Sequence, residues 1–219
     1  MRVCVTGQTG FIGRHVCAWL NAHGHTITED CYDAVIDLGW MGLPNYDSKE
    51  THIDQVPLRL GSLEDILCPN TTCIGTCLEI TPNRTAYGMA KTMVRDGLYK
   101  MLPKFKWARL YYPYGPGQRS TCLWPRLRAA LQGDDKEFHV IDGARDFLPI
   151  AAVASHICRI AMQMEVTGII DVCSGVATPV NEFCERFNRG RVKIISDYPM
   201  PAYEPKSFHG NPEKLLHVA

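Results

Sequence analysis

The sequence predicts an α/β protein built on a doubly wound parallel sheet. Three observations lead to this prediction: a short apolar strand begins at the second residue, a glycine-rich turn follows it directly, and strand and helix patterns alternate from there on. Such alternation is typical of a parallel sheet covered by helices on both faces. The 219 residues suffice for one domain of this kind with a small additional region.

The first predicted strand is Arg2–Thr6, and a helix with apolar residues at helical spacing, Phe11–Ala22, follows the glycine-rich turn. Further strands are predicted at 25–29, 34–38, 71–75, 106–111, 138–141, 168–172 and 192–195, and further helices at 58–67, 86–101, 123–131, 152–164 and 180–187. The proline-rich tail, 196–219, is predicted to be mostly loop. We expect residues 1–115, rejoined by about 145–175, to form the core, and residues 116–219 to form mainly a substrate-binding region.

The composition excludes several classes of function. Basic and acidic residues balance at 23 each, which leaves no charge excess for nucleic acid or an anionic membrane. No apolar run approaches the about 20 residues of a membrane-spanning helix, and no secretory signal precedes the first strand. The ten cysteines are therefore expected to be reduced thiols of a cytoplasmic protein. Cys68, Cys73 and Cys77 lack the spacing of a zinc site, so no metal is expected.

The turn after the first strand has the features of a dinucleotide-binding turn. Its glycines fall at every third position, and each has a separate purpose. Gly7 permits the tight turn, Gly10 lets a pyrophosphate approach the backbone, and Gly13 lets the helix pack closely on the sheet. The helix N-terminus then offers free N–H groups to the phosphates. The sequence thus predicts a Rossmann-type domain that binds NAD or NADP.

Five segments carry a more specific resemblance. They are TGQTGFIG at 6–13, YGMAK at 87–91, RLYYPYGPGQ at 109–118, GARDF at 143–147 and VCSG at 172–175. In this order they resemble the motifs of extended short-chain dehydrogenases/reductases of the NAD-dependent epimerase/dehydratase type, and they cover residues 1 to about 185. Members of that family mostly act on nucleotide-linked sugars. The resemblance implies an NAD(P)-dependent oxidoreductase whose partner is a nucleotide-sugar substrate, with a homodimer as the candidate assembly.

The resemblance implies a catalytic set of Thr76, Tyr87 and Lys91. Tyr87 and Lys91 lie four residues apart at the start of a predicted helix, so they project from one face. A tyrosine hydroxyl titrates near pH 10, and a nearby ammonium group is expected to lower that pKa. The pair would then exchange a proton with a sugar oxygen while hydride moves to or from nicotinamide. Thr76, at the end of the preceding strand, would hydrogen-bond the reacting oxygen.

The resemblance also implies the binding residues and narrows the reaction. The expected cofactor-binding residues are Gly7, Thr9, Gly10, Phe11, Ile12, Gly13, Arg14, Asp30, Leu38, Gly39, Lys91, Tyr112 and Pro113, and the expected substrate-binding residues are Trp40, Cys77 and Arg145. Arg145 would grip the nucleotide diphosphate, a role suited to a guanidinium. Sugar 4,6-dehydratases place Asp and Glu directly after the threonine, where this chain has Cys77 and Leu78. We therefore expect 4-keto reduction or C4 epimerisation instead of dehydration.

The sequence departs from the family after the second strand. One βα unit is missing between Asp30 and Tyr32, so the sheet should lack its outer strand and the adenine pocket should be shallower. Glu29 and Asp30 at the end of the second strand would favour NAD, whereas Arg14 would favour NADP. Two alternatives stay open: a catalytically weak, cofactor-binding regulatory protein, and a reductase of a non-sugar carbonyl.

Overall fold

The computed structural model describes residues 1–218 and contains a six-stranded parallel sheet with helices on both faces. The strands are β1 (Arg2–Thr6), β2 (Thr26–Ile27), β3 (Ala34–Asp37), β4 (Thr71–Thr76), β5 (Lys106–Leu110), β6 (Tyr112–Tyr114), β7 (Glu137–Ile141), β8 (Ala144–Arg145), β9 (Phe147–Pro149), β10 (Gly168–Val172), β11 (Thr178–Pro179), β12 (Lys193–Tyr198) and β13 (Ser207–Phe208). The helices are α1 (Phe11–Ala22), α2 (Lys49–His52), α3 (Val56–Glu64), α4 (Ala86–Met101), α5 (Leu123–Gln132), α6 (Ile150–Met162), α7 (Val180–Asn188) and α8 (Glu213–Leu216). The central sheet has the order β10-β5-β4-β3-β1-β2.

The two faces of this sheet bury separate hydrophobic clusters. On one face, the strands pack against α1 and α6, with Val16 and Ile157 fully buried. On the other, they pack against α3 and α4. Adjacent residues of β4 show the division, because Cys73 belongs to the α4 side and Ile74 to the α6 side. The predicted doubly wound parallel sheet is confirmed.

The outer edge of the sheet is shorter than the sequence predicts. β2 contains only Thr26 and Ile27, which pair with the amino end of β1. The backbone N–H of Thr28 donates to Val3 on one side of β1, and that of Asp33 donates to Arg2 on the other. The residues between them therefore cross β1 and enter β3 without a helix or a further strand. Within residues 1–218, no strand lies outside β2, which confirms the predicted loss of an outer βα unit.

The remaining elements form a second layer above the carboxyl end of the sheet. Three small sheets, β6 with β9, β7 with β12, and β8 with β11 and β13, surround a cluster in which Leu127, Phe138 and Phe183 are buried. The tail that was predicted as mostly loop contains β13, which pairs with β8, and α8. That prediction was wrong because the tail shows no local periodicity, and its strand is stabilised by pairing with residues far away in the sequence. Within residues 1–218, no helix is both long and apolar enough to cross a membrane.

Candidate active site

A cavity of about 490 Å³ opens where β1, β3, β4 and β5 end. Ligand sites of open α/β sheets lie at this edge, where the strand order reverses. The predicted site residues that line the cavity are Gly7, Gly10, Phe11, Ile12, Gly13, Leu38, Trp40, Thr76, Cys77, Tyr87, Lys91, Tyr112 and Pro113. The sequence motifs therefore meet in one place, although they are spread over more than half of the chain.

The glycine-rich turn forms one end of the cavity. Gly7 has a φ of +66°, and a Cβ there would lie 2.9 Å from the Leu38 carbonyl group. A Cβ at Gly13 would collide with the backbone of Gly7 and Gln8. Gly10 is different, because it caps α1 in an extended conformation and a Cβ there would meet only the Gly7 carbonyl oxygen, at 3.2 Å. Together with the free N–H groups of α1, this leaves room for a phosphate group beside Gly10.

Thr76 and Tyr87 lie at the other end of the cavity. Thr76 ends β4 and is fixed by Glu79, because its N–H donates to Glu79 Oε1 at 2.7 Å and its hydroxyl accepts from Leu78 N at 3.3 Å. Tyr87 lies in the first turn of α4, which Thr85 caps by accepting from Gly88 N at 3.0 Å. Thr76 and Tyr87 both line the cavity, and the Thr76 side chain is close enough to lower the pKa of Tyr87, against the larger effect of burial. One strand end and one helix start thus bring both hydroxyls to the same point.

The ionisation of Tyr87 and Lys91 differs from what the sequence predicts. Burial raises the pKa of Tyr87 far above its ordinary value, and Tyr46 and Glu79 raise it further. Lys91 Nζ donates to the Ile74 carbonyl oxygen at 2.8 Å, and burial lowers the pKa of Lys91 to about 7. The expected lowering of the Tyr87 pKa by Lys91 is therefore wrong for this arrangement. Tyr87 is a neutral phenol across the physiological pH range.

An aromatic cluster surrounds Tyr87. The ring centroids of Trp40, Tyr46 and His52 lie 5.6, 5.7 and 5.2 Å from that of Tyr87. Tyr46 also accepts a hydrogen bond from Tyr87 N through its carbonyl oxygen at 2.9 Å, and burial raises the pKa of the Tyr46 hydroxyl to about 12. Sequence analysis missed Tyr46 and His52, because the segment 41–52 carries no motif. Tyr46 and His52 are the only residues of that segment with an aromatic ring, which is too few to mark a site.

A buried charged network lies beneath Thr76. Glu79 is fully buried and accepts from Trp107 Nε1 at 3.0 Å and from Arg95 Nη1 at 3.1 Å. Burial raises the pKa of Glu79, while the Thr76 N–H and then Arg109 act in the opposite direction. Sequence analysis missed this role of Glu79, although the three-residue spacing from Thr76 is that of a capping box.

Arg145 does not face the cavity. It is almost completely buried, its Nε donates to Glu204 Oε2 at 3.0 Å, and its Nη1 donates to the Ala144 and Pro205 carbonyl oxygens at 2.8 and 3.1 Å. The guanidinium is thus hydrogen-bonded to the tail of the chain, which corrects the prediction that Arg145 binds the diphosphate. Glu204 does line the cavity and accepts from the Tyr112 hydroxyl at 3.1 Å. Sequence analysis missed it because it lies in the tail.

Four other predicted residues also lie outside the cavity lining, namely Thr9, Arg14, Asp30 and Gly39. Arg14 Nε donates to the Thr9 carbonyl oxygen at 3.0 Å. Asp30 is exposed in a turn that Thr28 closes, on the segment that crosses β1. Asp30 therefore does not end a strand beside the glycine-rich turn, which corrects its expected contact with the cofactor ribose. Gly39 is held by its N–H, which donates to Thr6 Oγ1 at 3.1 Å.

The parallel sheet and the cavity at its carboxyl edge are typical of a Rossmann-type fold, and comparisons with known proteins agree at the level of the fold. No family model matches the chain. Over 270 aligned positions the chain is 22% identical to dTDP-6-deoxy-L-talose 4-dehydrogenase (NAD(+)) of Aggregatibacter actinomycetemcomitans, covering 96% of this chain and 99% of that protein.

Solved structures give the same result. The chain is similar to RMD from Pseudomonas aeruginosa complexed with NADPH, with a TM-score of 0.79 and 20% identity over 99% of this chain and 91% of that one. It is also similar to UDP-N-acetylglucosamine 4-epimerase from Bacillus cereus, with a TM-score of 0.71 and 20% identity over 92% of this chain and 90% of that one. These similarities confirm the predicted resemblance to epimerase/dehydratase-type short-chain dehydrogenases/reductases at the level of the fold.

Proposed function

We propose that this chain is an NAD(P)-dependent oxidoreductase that acts at C4 of a nucleotide-linked sugar, by 4-keto reduction or by C4 epimerisation. The proposal is carried by the position of Thr76 and Tyr87, which line the same cavity as the glycine-rich turn. The similarity to an NAD(+)-dependent dTDP-sugar 4-dehydrogenase and to a UDP-sugar 4-epimerase supports the substrate class.

The residues present fit a dinucleotide. The turn has no side chains at Gly7, Gly10 and Gly13, so its backbone is accessible to a ligand. The N–H groups at the start of α1 would hold the pyrophosphate. Lys91 would hold the ribose of the nicotinamide half. When bound, the cofactor supplies or accepts the hydride.

The side chains of this protein would handle the proton. As a neutral phenol, Tyr87 is ready to donate its proton to a C4 carbonyl oxygen, while the Thr76 hydroxyl donates a hydrogen bond to the same oxygen. Donating this proton would leave the phenolate, and removing a proton from a C4 hydroxyl would begin from it, so burial disfavours the phenolate in both directions. The protonation state of Tyr87 therefore does not separate 4-keto reduction from C4 epimerisation, and both reactions stay in the proposal.

Cys77 supports the exclusion of dehydration. It directly follows Thr76 and is almost completely buried, and burial raises the pKa of its thiol far above the ordinary value. A thiol that is so difficult to ionise is a much weaker acid than the carboxylic acid that dehydration uses at this place. The carboxylate of Glu204 is nearby, but its two oxygens accept from Tyr112 and Arg145. Elimination of water is thus not supported by the residues around Thr76.

The proposal is tested by a screen of dTDP-, UDP- and GDP-linked hexoses and their 4-keto forms with reduced and oxidised cofactors. Absorbance of the reduced nicotinamide gives net turnover, and NMR of the sugar gives the product. Net oxidation of the cofactor identifies a reductase, while a C4 epimer without net turnover identifies an epimerase. Tyr87→Phe is the matched control. If the protein binds a cofactor and converts none of these sugars, the proposal is wrong and the regulatory alternative is favoured.

A further inference from the structure

Trp40 lies directly against Lys91. Lys91 Nζ is 4.2 Å from the centroid of the Trp40 ring, and the edge-on contact between Trp40 and Tyr87 has a centroid distance of 5.6 Å. The sequence analysis predicted that Trp40 binds the substrate, and Trp40 does line the cavity. Its ring also contacts two members of the catalytic set.

The orientation of Trp40 is fixed by a buried histidine. Trp40 Nε1 donates to His52 Nδ1 at 3.2 Å, and His52 Nε2 lies 2.7 Å from the Asn45 carbonyl oxygen. Because Nδ1 accepts a hydrogen bond, the ring proton is on Nε2, which donates to Asn45. His52 is fully buried at the end of α2, a short helix capped by Ser48. The indole therefore cannot turn away from Lys91 without breaking the bond to His52.

We propose that Trp40, oriented by His52, is a positioning residue that holds Lys91 as an ammonium ion beside Tyr87. The face of an indole attracts a cation, and this attraction is strongest where water is excluded, as it is around the buried Lys91. The inference rests on the proposed function, in which the charged form of Lys91 binds the cofactor ribose.

Other groups also act on Lys91. Burial disfavours its charged form most, and Arg59 adds to this effect. Glu79 and Cys73 favour the charged form, and a second ring, that of Trp107, lies 5.8 Å from Nζ. Tyr87 on the same helix is a neutral phenol, and His52 lies behind Trp40, where its Nδ1 accepts from the indole. Of the two rings near Nζ, that of Trp40 is the closer.

A direct titration of Lys91 tests the proposal without substrate or cofactor. Lysine labelled with carbon-13 at Cε reports each side-chain pKa by NMR, and the Lys91 signal is assigned by its loss in Lys91→Arg. In Trp40→Leu we expect the pKa of Lys91 to fall by roughly 0.5 to 1 unit, because the charged form loses the ring face. Trp40→Phe keeps an aromatic ring at this position, so the Lys91 pKa should fall by less in that variant. Trp19→Leu, the same change on α1, should leave the Lys91 pKa unchanged.

His52→Ala keeps the indole and removes only its anchor, so its Lys91 pKa should lie between those of the parent and Trp40→Leu. The pH dependence of activity should change in the same direction. Because the charged form of Lys91 is lost as the pH rises through its pKa, the alkaline limb of the kcat/KM profile should move to lower pH in Trp40→Phe. A Lys91 pKa within about 0.2 units of the parent in both Trp40→Phe and His52→Ala overturns the proposal, even if Trp40→Leu fails to fold. If the pKa falls but no sugar is converted, Trp40 still positions Lys91 and the proposed function alone is wrong.

Discussion

The two ends of β1 differ in how much of a dinucleotide-binding fold they keep. At the carboxyl end, the glycine-rich turn, the end of β4 and the start of α4 enclose one cavity. At the amino end, β2 is reduced to two residues and the chain crosses directly to β3. The glycine-rich turn, Thr76 and Tyr87, to which we assign the pyrophosphate and the reacting groups, keep their places without the outer strand. We propose that contacts with the adenosine half depend on that strand.

The largest expected effect on activity comes from a change at Tyr87, in the cavity at the carboxyl end of β1. Tyr87→Phe removes the proton donor and should lower turnover by about 10²-fold or more, while cofactor binding and folding stay near those of the parent. Steady-state kinetics and calorimetry with the reduced cofactor measure the two quantities separately. Turnover within a few-fold of the parent would show that Tyr87 is not the donor.

Gly10→Val tests the glycine-rich turn. Gly10 has an extended backbone, and a Cβ there would meet only the Gly7 carbonyl oxygen, at 3.2 Å, so the effect on folding should be small, but the new side chain would occupy the phosphate position. We expect cofactor affinity to fall by roughly 10-fold to 100-fold in calorimetry. Gly13→Ala is the contrasting control, because its Cβ would collide with the backbone and should lower the melting temperature. Unchanged affinity in Gly10→Val would remove the dinucleotide site.

Arg145→Met tests the anchoring of the tail that closes the cavity. The change leaves Glu204 without its cation and removes hydrogen bonds to the Ala144, Pro205 and Lys206 carbonyl oxygens, so the free energy of unfolding should fall by about 3 kcal/mol. Urea unfolding measures this loss, and adding Glu204→Gln should recover part of it. If Arg145→Met instead keeps its stability and loses nucleotide-sugar affinity, the guanidinium binds the diphosphate after all.

The smallest effect is expected at the truncated edge. Asp30 is exposed on the crossing segment, so Asp30→Ala should change the ratio of NADH to NADPH affinity by less than about twofold. This reverses the expectation from the sequence, in which Asp30 would select NAD. Calorimetry with both cofactors decides the matter, and a clear shift towards NADPH would mean that the adenosine ribose reaches Asp30.

The sequence predicted those parts of the molecule that are determined by local pattern. The glycine spacing, the position of Thr76 at a strand end and the four-residue step from Tyr87 to Lys91 each lie within a few residues, and all line the cavity. The pairing of Arg145 with Glu204, 59 residues apart, and the contact of Lys91 with Trp40 depend on how distant segments pack. No local pattern encodes such contacts, so they were missed or assigned to the wrong partner.

Transfer of deuterium tests the central claim, that Tyr87 and Thr76 act on a C4 oxygen beside the nicotinamide. The protein is given a dTDP-linked 4-keto-6-deoxyhexose with reduced cofactor that carries deuterium at the transferred position of its nicotinamide ring, and the product is read by NMR. The account predicts deuterium at C4 of the sugar, and labelled product at a rate lower by about 10²-fold or more with Tyr87→Phe. Deuterium at another carbon, or the same yield of labelled product from Tyr87→Phe, would contradict it.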